Sequence, residues 1–284
     1  MTNGDRFHAV ARTTLVRCGQ VLADFAGSVA FWLCPRYRHA AACNLAQVLG
    51  EPPYSPVVRR AVQGAFRASA RNFLALLTLR LASGFWSPSV ELEWSDGVPR
   101  VGEGPIVFVS AHLGPFDVVA ALLSKRGYTF LVLAEPMRPV WLDRCVRWLR
   151  GHRGVTLVSP SPAGFRAVIR ALRSGIPVVF LIDRASERAG RSIRFFGRAA
   201  WFSDVPIRLA RRFGCPVVPV FAQRTGYGYR VSVAPAIDLA ARDEAHVTEL
   251  GALEQVVAQL EQAIRAAPDQ WLVFRPVWSV ESVL

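Results

Sequence analysis

Lysine is almost missing from this chain. Lys125 is the sole lysine in 284 residues, so arginine supplies nearly all of the positive charge. Carboxylates are scarce too: 21 Asp plus Glu stand against 34 Lys plus Arg, leaving a formal net charge of +13. Guanidinium groups bind phosphate and carboxylate through paired hydrogen bonds. A surface of this sign calls for an anionic partner: nucleic acid, anionic lipid or an acidic carrier protein. Composition alone does not choose among them.

Paired cysteines are missing as well. Cys18, Cys34, Cys43, Cys145 and Cys215 are scattered, odd in number and free of any CxxC spacing. They read as reduced small apolar residues, not as a metal site or a disulfide framework. No HExxH or Cys/His cluster marks a zinc site, and no metal is expected. No G-x-S-x-G elbow, Walker loop or G-x-G-x-x-G after a strand is present, which argues against a serine hydrolase and against the common nucleotide folds. Repeats, low-complexity tracts and an interdomain linker are also lacking.

Long apolar runs are short of what a bilayer needs. Met1–Phe7 carries only Arg6 as a positive charge and no clean apolar core follows, so no cleavable signal peptide is expected. Residues 15–34 come nearest to a membrane span, but Arg17, Gln20 and Asp24 interrupt them, leaving only Phe25–Cys34 unbroken. A hydrocarbon core needs about 20 apolar residues. An interfacial or buried helix is the expectation.

What is present is apolar and aromatic: 52% hydrophobic residues, with 8 Trp and 17 Phe. A chain of this length buries one large core, and one α/β domain over 1–284 is expected. Residues 1–84 read as a helical N-terminal portion broken at Pro35 and Pro52-Pro53, with apolar spacing over 61–81 and Gly84 as a stop. Residues 85–284 read as an α/β catalytic core. Strands are expected at 90–94, 106–109, 128–133, 155–157, 177–182, 217–221 and 229–233. Helices are expected at 116–125, 139–150, 164–173, 205–213 and 247–266. Alternation of this kind implies a mostly parallel central sheet flanked by helices on both faces.

The densest chemical signal is IVFVSAHLGPFD, residues 106–117. A buried strand runs into a loop carrying His112, and Gly114-Pro115 then opens a helix carrying Asp117. An imidazole held by a carboxylate can take a proton from an alcohol near neutral pH. In open α/β sheets ligands bind beyond the carboxyl ends of strands, which is where His112 falls. The spacing alone is common by chance, and Asp117 also suits a helix first turn without any catalytic role.

Further candidates follow other strand ends. Asp183-Arg184 close the run at 177–182, and Arg191 and Arg194 follow in what reads as a polar loop, placed to hold phosphate or carboxylate. Arg194 alternates with Ile193 and Phe195 and so faces away from them. Glu135 is either a second acid at the same crevice or an ordinary loop residue. Arg144, Arg147 and Arg150 share one helix face with Trp141 and Trp148 nearby, a pattern suited to a membrane surface.

Taken together, these blocks resemble the bacterial lysophospholipid acyltransferase superfamily, in particular its lipid A lauroyl/myristoyl and phosphatidylinositol mannoside acyltransferase branch. AHLGPFD resembles the His-x4-Asp/Glu block. Gly175 to Asp183-Arg184 resembles a strand ending in Asp-Arg. RSIRFFGRAAWFSDVPIRLARRFGCPVVPVF and AAPDQWLVFRPVW resemble two later blocks in the same order. The chain departs from the pattern in reading Pro-Phe-Asp for the usual Asn-Trp-Glu, and in placing Arg198 after Phe-Phe-Gly where the mannoside enzymes have Glu.

The resemblance implies a glycerolphosphate-acyltransferase-like fold. It also implies transfer of a fatty acyl group from an acyl carrier protein or coenzyme A thioester to a hydroxyl of a lipid or glycolipid. His112 would be the general base and Asp117 would orient it. Glu135, Asp183, Arg184, Arg191 and Arg194 would bind substrate. No cofactor or metal is implied. The expected setting is the cytoplasmic face of the inner membrane, held peripherally on an anionic surface. Two readings stay open beside it. One is an acyltransferase of the same fold acting on a specialised metabolite; the other is a non-catalytic lipid- or nucleic-acid-binding protein, nucleic acid being the partner not expected.

Overall fold

A computed structural model describes residues 3–82, 88–184, 190–226, 228–239 and 248–278. The expected helix stop at Gly84 lies outside these. The chain opens with α1 (Asn3–Leu33), α2 (Pro35–Leu49) and α3 (Pro56–Leu81). Each boundary has a local cause. Pro35 occupies the first turn of α2, where a missing N–H costs nothing. Ser55 accepts from the Val58 amide and Pro56 follows it, so α3 begins just beyond the break expected at Pro52-Pro53.

The rest alternates strand and helix: β1 (Val90–Trp94), β2 (Val107–Ser110), α4 (Phe116–Lys125), β3 (Phe130–Leu133), α5 (Val140–Arg150), β4 (Val155–Val158), α6 (Pro162–Arg173) and β5 (Val178–Leu181). An antiparallel hairpin, β6 (Arg191–Phe195) and β7 (Arg198–Phe202), comes next. It is followed by α7 (Val205–Phe213), β8 (Val217–Thr225), β9 (Gly228–Val233), α8 (Glu249–Ala266) and a 3₁₀ turn at Pro268–Gln270. The main sheet has seven strands in the order β1-β9-β8-β2-β5-β3-β4. All pairings are parallel except β8 with β9.

The hairpin replaces the polar loop expected to carry Arg191 and Arg194. Ile193, Phe195, Ala200 and Phe202 are buried on one face while Ser192 and Arg194 are exposed on the other; Arg191, at the open end of the hairpin, is exposed as well. The connecting Phe196 and Gly197 both have positive φ, 47° and 82°. That geometry matches the right-handed twist of the paired strands. The alternation was legible in RSIRF, but its charge obscured it.

Two apolar layers cover the sheet. One face packs against α6, α7, α8, α2 and the hairpin. The other packs against α4, α5 and the C-terminal half of α3. The run at 177–182 reads as buried on both faces, yet only half of β5 is: Val178 and Phe180 are buried, whereas Val179 and Leu181 are partly open. They open onto an apolar cavity lined by all seven main-sheet strands and roofed by Phe116, Val119, Ala120 and Leu123 of α4.

Helix α1 is amphipathic in the reverse sense. Asp24 points inward and forms an ion pair with Arg71 of α3, and Ser28 accepts from Arg67 Nε at 3.0 Å. Its outward stripe is apolar, with Val21 67%, Leu22 68%, Phe25 69%, Trp32 60% and Leu33 74% exposed. Among the described residues no helix is long and apolar enough to cross a membrane.

Candidate active site

The register of the sheet builds the site. β2 pairs with β5 so that Ser110 lies beside Leu181. Two residues beyond each, at the carboxyl edge, His112 and Asp183 therefore meet. His112 Nδ1 lies 2.7 Å from Asp183 Oδ1, and the His112 amide donates to Asp183 Oδ2 at 2.9 Å. The indole of Trp271 donates to the same Oδ2 at 2.9 Å. A carboxylate only accepts, so Nδ1 carries the proton and Nε2 keeps its lone pair.

The loop carrying His112 is clamped from two sides. The C-terminal segment runs antiparallel to it, with Leu113 bridged to Trp271. Leu272 N donates to the His112 carbonyl at 2.7 Å, and Gly114 N donates to the Gln270 carbonyl at 2.7 Å. From the other side, Asn72 of α3 donates to the Gly114 carbonyl at 2.9 Å. Gly114 has φ +61°, and a Cβ there would lie 2.0 Å from the Ala222 carbonyl oxygen. Only glycine fits.

Asp117 does not take the position at Nδ1 that the His-x4-Asp spacing led us to expect. The first turn of α4 directs it toward the C-terminal end of α5, where it forms an ion pair with Arg150 Nε at 2.9 Å. Asp117 and Arg150 are the charged groups among the lining of the apolar cavity. Phe116, also in that lining, packs edge-on to the imidazole at 5.5 Å. Phe116 thus lies against both the imidazole and the cavity.

Burial and charge act in opposite directions here. Desolvation lowers the His112 pKa below its usual 6.5, opposed by Asp183 and helped by Arg184 and Arg150. The histidine is therefore neutral at pH 7. Burial would raise Asp183, but the imidazole, Arg184 and the Trp271 N–H outweigh it and hold the carboxyl at about 2. Burial raises Asp117, with Arg150 pulling the other way.

Of the residues expected to bind substrate, Asp183 is instead an internal support, its side chain fully buried and occupied by three N–H donors. Arg184 donates through one terminal nitrogen to the Leu272 carbonyl at 2.8 Å, while its buried Nε meets no hydrogen-bond partner among the described residues. Glu135 lies 3.4 Å from Arg275, which also donates to the Arg184 carbonyl at 2.7 Å. Arg191 and Arg194 are not brought to this centre. Arg194 lies on the exposed face of the hairpin, and Arg191 at its open end is held on Asp204 at 2.8 Å. The hairpin meets the site through buried Phe195, whose ring lies 6.0 Å from that of Trp271. Sequence reasoning missed Arg150, Trp271, Gln270 and Asn72 as site residues. Only the Gln270-Trp271 pair had a signal, inside the PDQW block.

Over 280 residues the chain is 26% identical to a phosphatidylinositol mannoside acyltransferase of Mycobacterium tuberculosis (strain CDC 1551 / Oshkosh), covering 91% of this chain and 84% of that protein. It is 24% identical over 244 residues to the protein of the same name from Mycolicibacterium smegmatis, covering 83% and 77%. The crystal structure of the 1-acyl-sn-glycerophosphate acyltransferase PlsC from Thermotoga maritima is a distant likeness. It shows 13% identity and a TM-score of 0.38, over 87% of this chain and 97% of that one. The model of the bacterial lipid A biosynthesis acyltransferases matches residues 8–279, so the chain belongs to that family and is an acyltransferase.

Proposed function

We propose that this acyltransferase moves a fatty acyl group from an acyl carrier protein or coenzyme A thioester to a hydroxyl of a lipid or glycolipid, with His112 as general base. The observation that carries the reading is the Asp183–His112 pair at the end of β2, beside an apolar cavity. Asp183 fixes the tautomer, so Nε2 is the basic nitrogen. Nε2 takes the proton from the acceptor hydroxyl as its oxygen attacks the thioester carbon. The tetrahedral intermediate collapses by breaking the C–S bond. The imidazolium returns its proton to the departing thiolate, leaving an ester and a thiol. Buried and ionised, Asp183 stabilises the imidazolium between these steps.

Arg150 and Arg184 put positive charge on the same side as the imidazole, where the carbonyl oxygen becomes anionic. The cavity holds the acyl chain; its lining is apolar apart from Ser110, Asp117, Arg150 and the Tyr128 hydroxyl. The relatives are named for phosphatidylinositol mannoside, which supports a glycolipid acceptor. Peripheral attachment to the cytoplasmic face of the membrane is supported by the exposed stripe of α1 and by Trp141 on α5, 69% exposed.

The test is transfer by purified protein from palmitoyl-coenzyme A or palmitoyl-acyl carrier protein to a glycolipid extract, read by mass spectrometry. His112→Ala should lower the rate about 100-fold or more with the melting temperature retained. Transfer at the wild-type rate by the folded variant refutes the reading.

A further inference from the structure

Between Asp143 and Asp183 the sequence contains no carboxylate. Helix α6 falls in the middle of that stretch. Its exposed face carries Arg166, Arg170 and Arg173, spaced i, i+4 and i+7. Among the described residues none of the three meets a carboxylate at ion-pair distance. The stripe extends over about 10 Å of helix. Helix α7 lies in the same layer, over β2 and β8 where α6 lies over β5 and β3. It exposes Arg208, Arg211 and Arg212. The acids here, Asp204 and Glu249, are already engaged by Arg191, Arg208 and Arg211.

We infer that the outer face of α6, continued by α7, is the docking surface for an acidic protein, namely the carrier that brings the thioester. The inference rests on the acyltransferase reading above and names the partner it needs. Two observations favour a protein over a membrane. An interfacial helix presents large apolar residues beside its charges, and α6 exposes none: Phe165, Val168, Ile169 and Leu172 all turn inward or are half-covered. The exposed apolar stripe belongs instead to α1, which packs on α3. Topology also places the stripe usefully. α6 follows the carboxyl end of β4 and α7 follows the hairpin, so both helices start at the sheet edge where His112 stands. A carrier held there presents its thioester arm to the open edge. Complementary charge sets encounter rate and orientation more than it adds apolar contact.

The test compares palmitoyl-acyl carrier protein with palmitoyl-coenzyme A as donors for wild-type protein and for Arg166→Glu/Arg170→Glu/Arg173→Glu. Binding of holo-acyl carrier protein is measured alongside by fluorescence anisotropy at low and high salt. The expected result is a fall of at least about tenfold in carrier binding and in kcat/KM with the carrier donor. Transfer from palmitoyl-coenzyme A should be unchanged, and the wild-type salt dependence should flatten in the variant. Arg170→Glu alone, at the middle of the stripe, should give part of the loss if the triple variant folds poorly. Carrier binding unaffected by both variants, or absent from the wild type, overturns the inference. So does loss of binding to phosphatidylglycerol vesicles with carrier binding intact, which would make this face a lipid surface. If the carrier binds through these arginines but neither donor is turned over, docking stands and the catalytic reading falls.

Discussion

His112 and Asp183 are 71 residues apart in the chain, and their two side chains make a 2.7 Å contact. The nearer acid, Asp117, is held by Arg150. Asp183→Asn and Asp117→Asn should therefore differ. In Asp183→Asn an amide faces N–H donors and the imidazole loses its negative partner, so kcat should fall about 100-fold or more. Asp117→Asn leaves Nδ1 supported and should cost less, acting through Arg150 at the cavity. The pH profile separates the two further. Burial lowers the His112 pKa and Asp183 raises it. The base form exists above that pKa, so activity should be lost as pH falls through a value below 6.5. Removing Asp183 removes a raising influence, so the acid limb should move to still lower pH. Equal losses in both variants, with Asp117→Asn alone moving the limb, would return the orienting role to Asp117.

At the scale of elements, the expected helices at 116–125 and 205–213 and the strand at 90–94 coincide with α4, α7 and β1. Helical breaks at Pro35 and near Pro52-Pro53 are found as well, since proline acts locally and needs no tertiary partner. The hairpin was missed because charge on its outer face masked a period of two. Between the elements, one turn carries much of the geometry. Gly114→Ala forces a Cβ toward the Ala222 carbonyl in a left-handed conformation. It should lower the unfolding free energy by about 2 kcal/mol or more, read by urea denaturation. It should also slow transfer by displacing His112. A variant as stable and as fast as wild type would show that the loop relaxes without cost.

At the scale of the whole molecule, charge and apolar surface are segregated. The stripe on α1 faces outward while its acid faces α3. Leu22→Glu/Phe25→Glu should weaken binding to phosphatidylglycerol vesicles at least about tenfold, because each side chain forfeits roughly 1.5–3 kcal/mol of apolar burial. The fold should survive, since both residues are exposed. Cosedimentation with vesicles measures it. Wild-type protein should leave the vesicles on carbonate washing; retention in both variant and wild type would place the attachment elsewhere.

The sequence by itself determined the class of fold and most element positions, and it singled out His112 as a candidate. Periodicity, proline and glycine act within a few neighbours, and those signals are written in order along the chain. Tertiary structure decided which acid meets His112. Asp117 sits close in sequence, but the first turn of α4 turns it toward Arg150. Asp183 sits far away, but pairing β2 beside β5 with Ser110 opposite Leu181 brings it to the imidazole. Strand order also set the cavity, the two helix layers and the arginine face of α6. Each depends on which segments become neighbours, and local spacing carries no record of that.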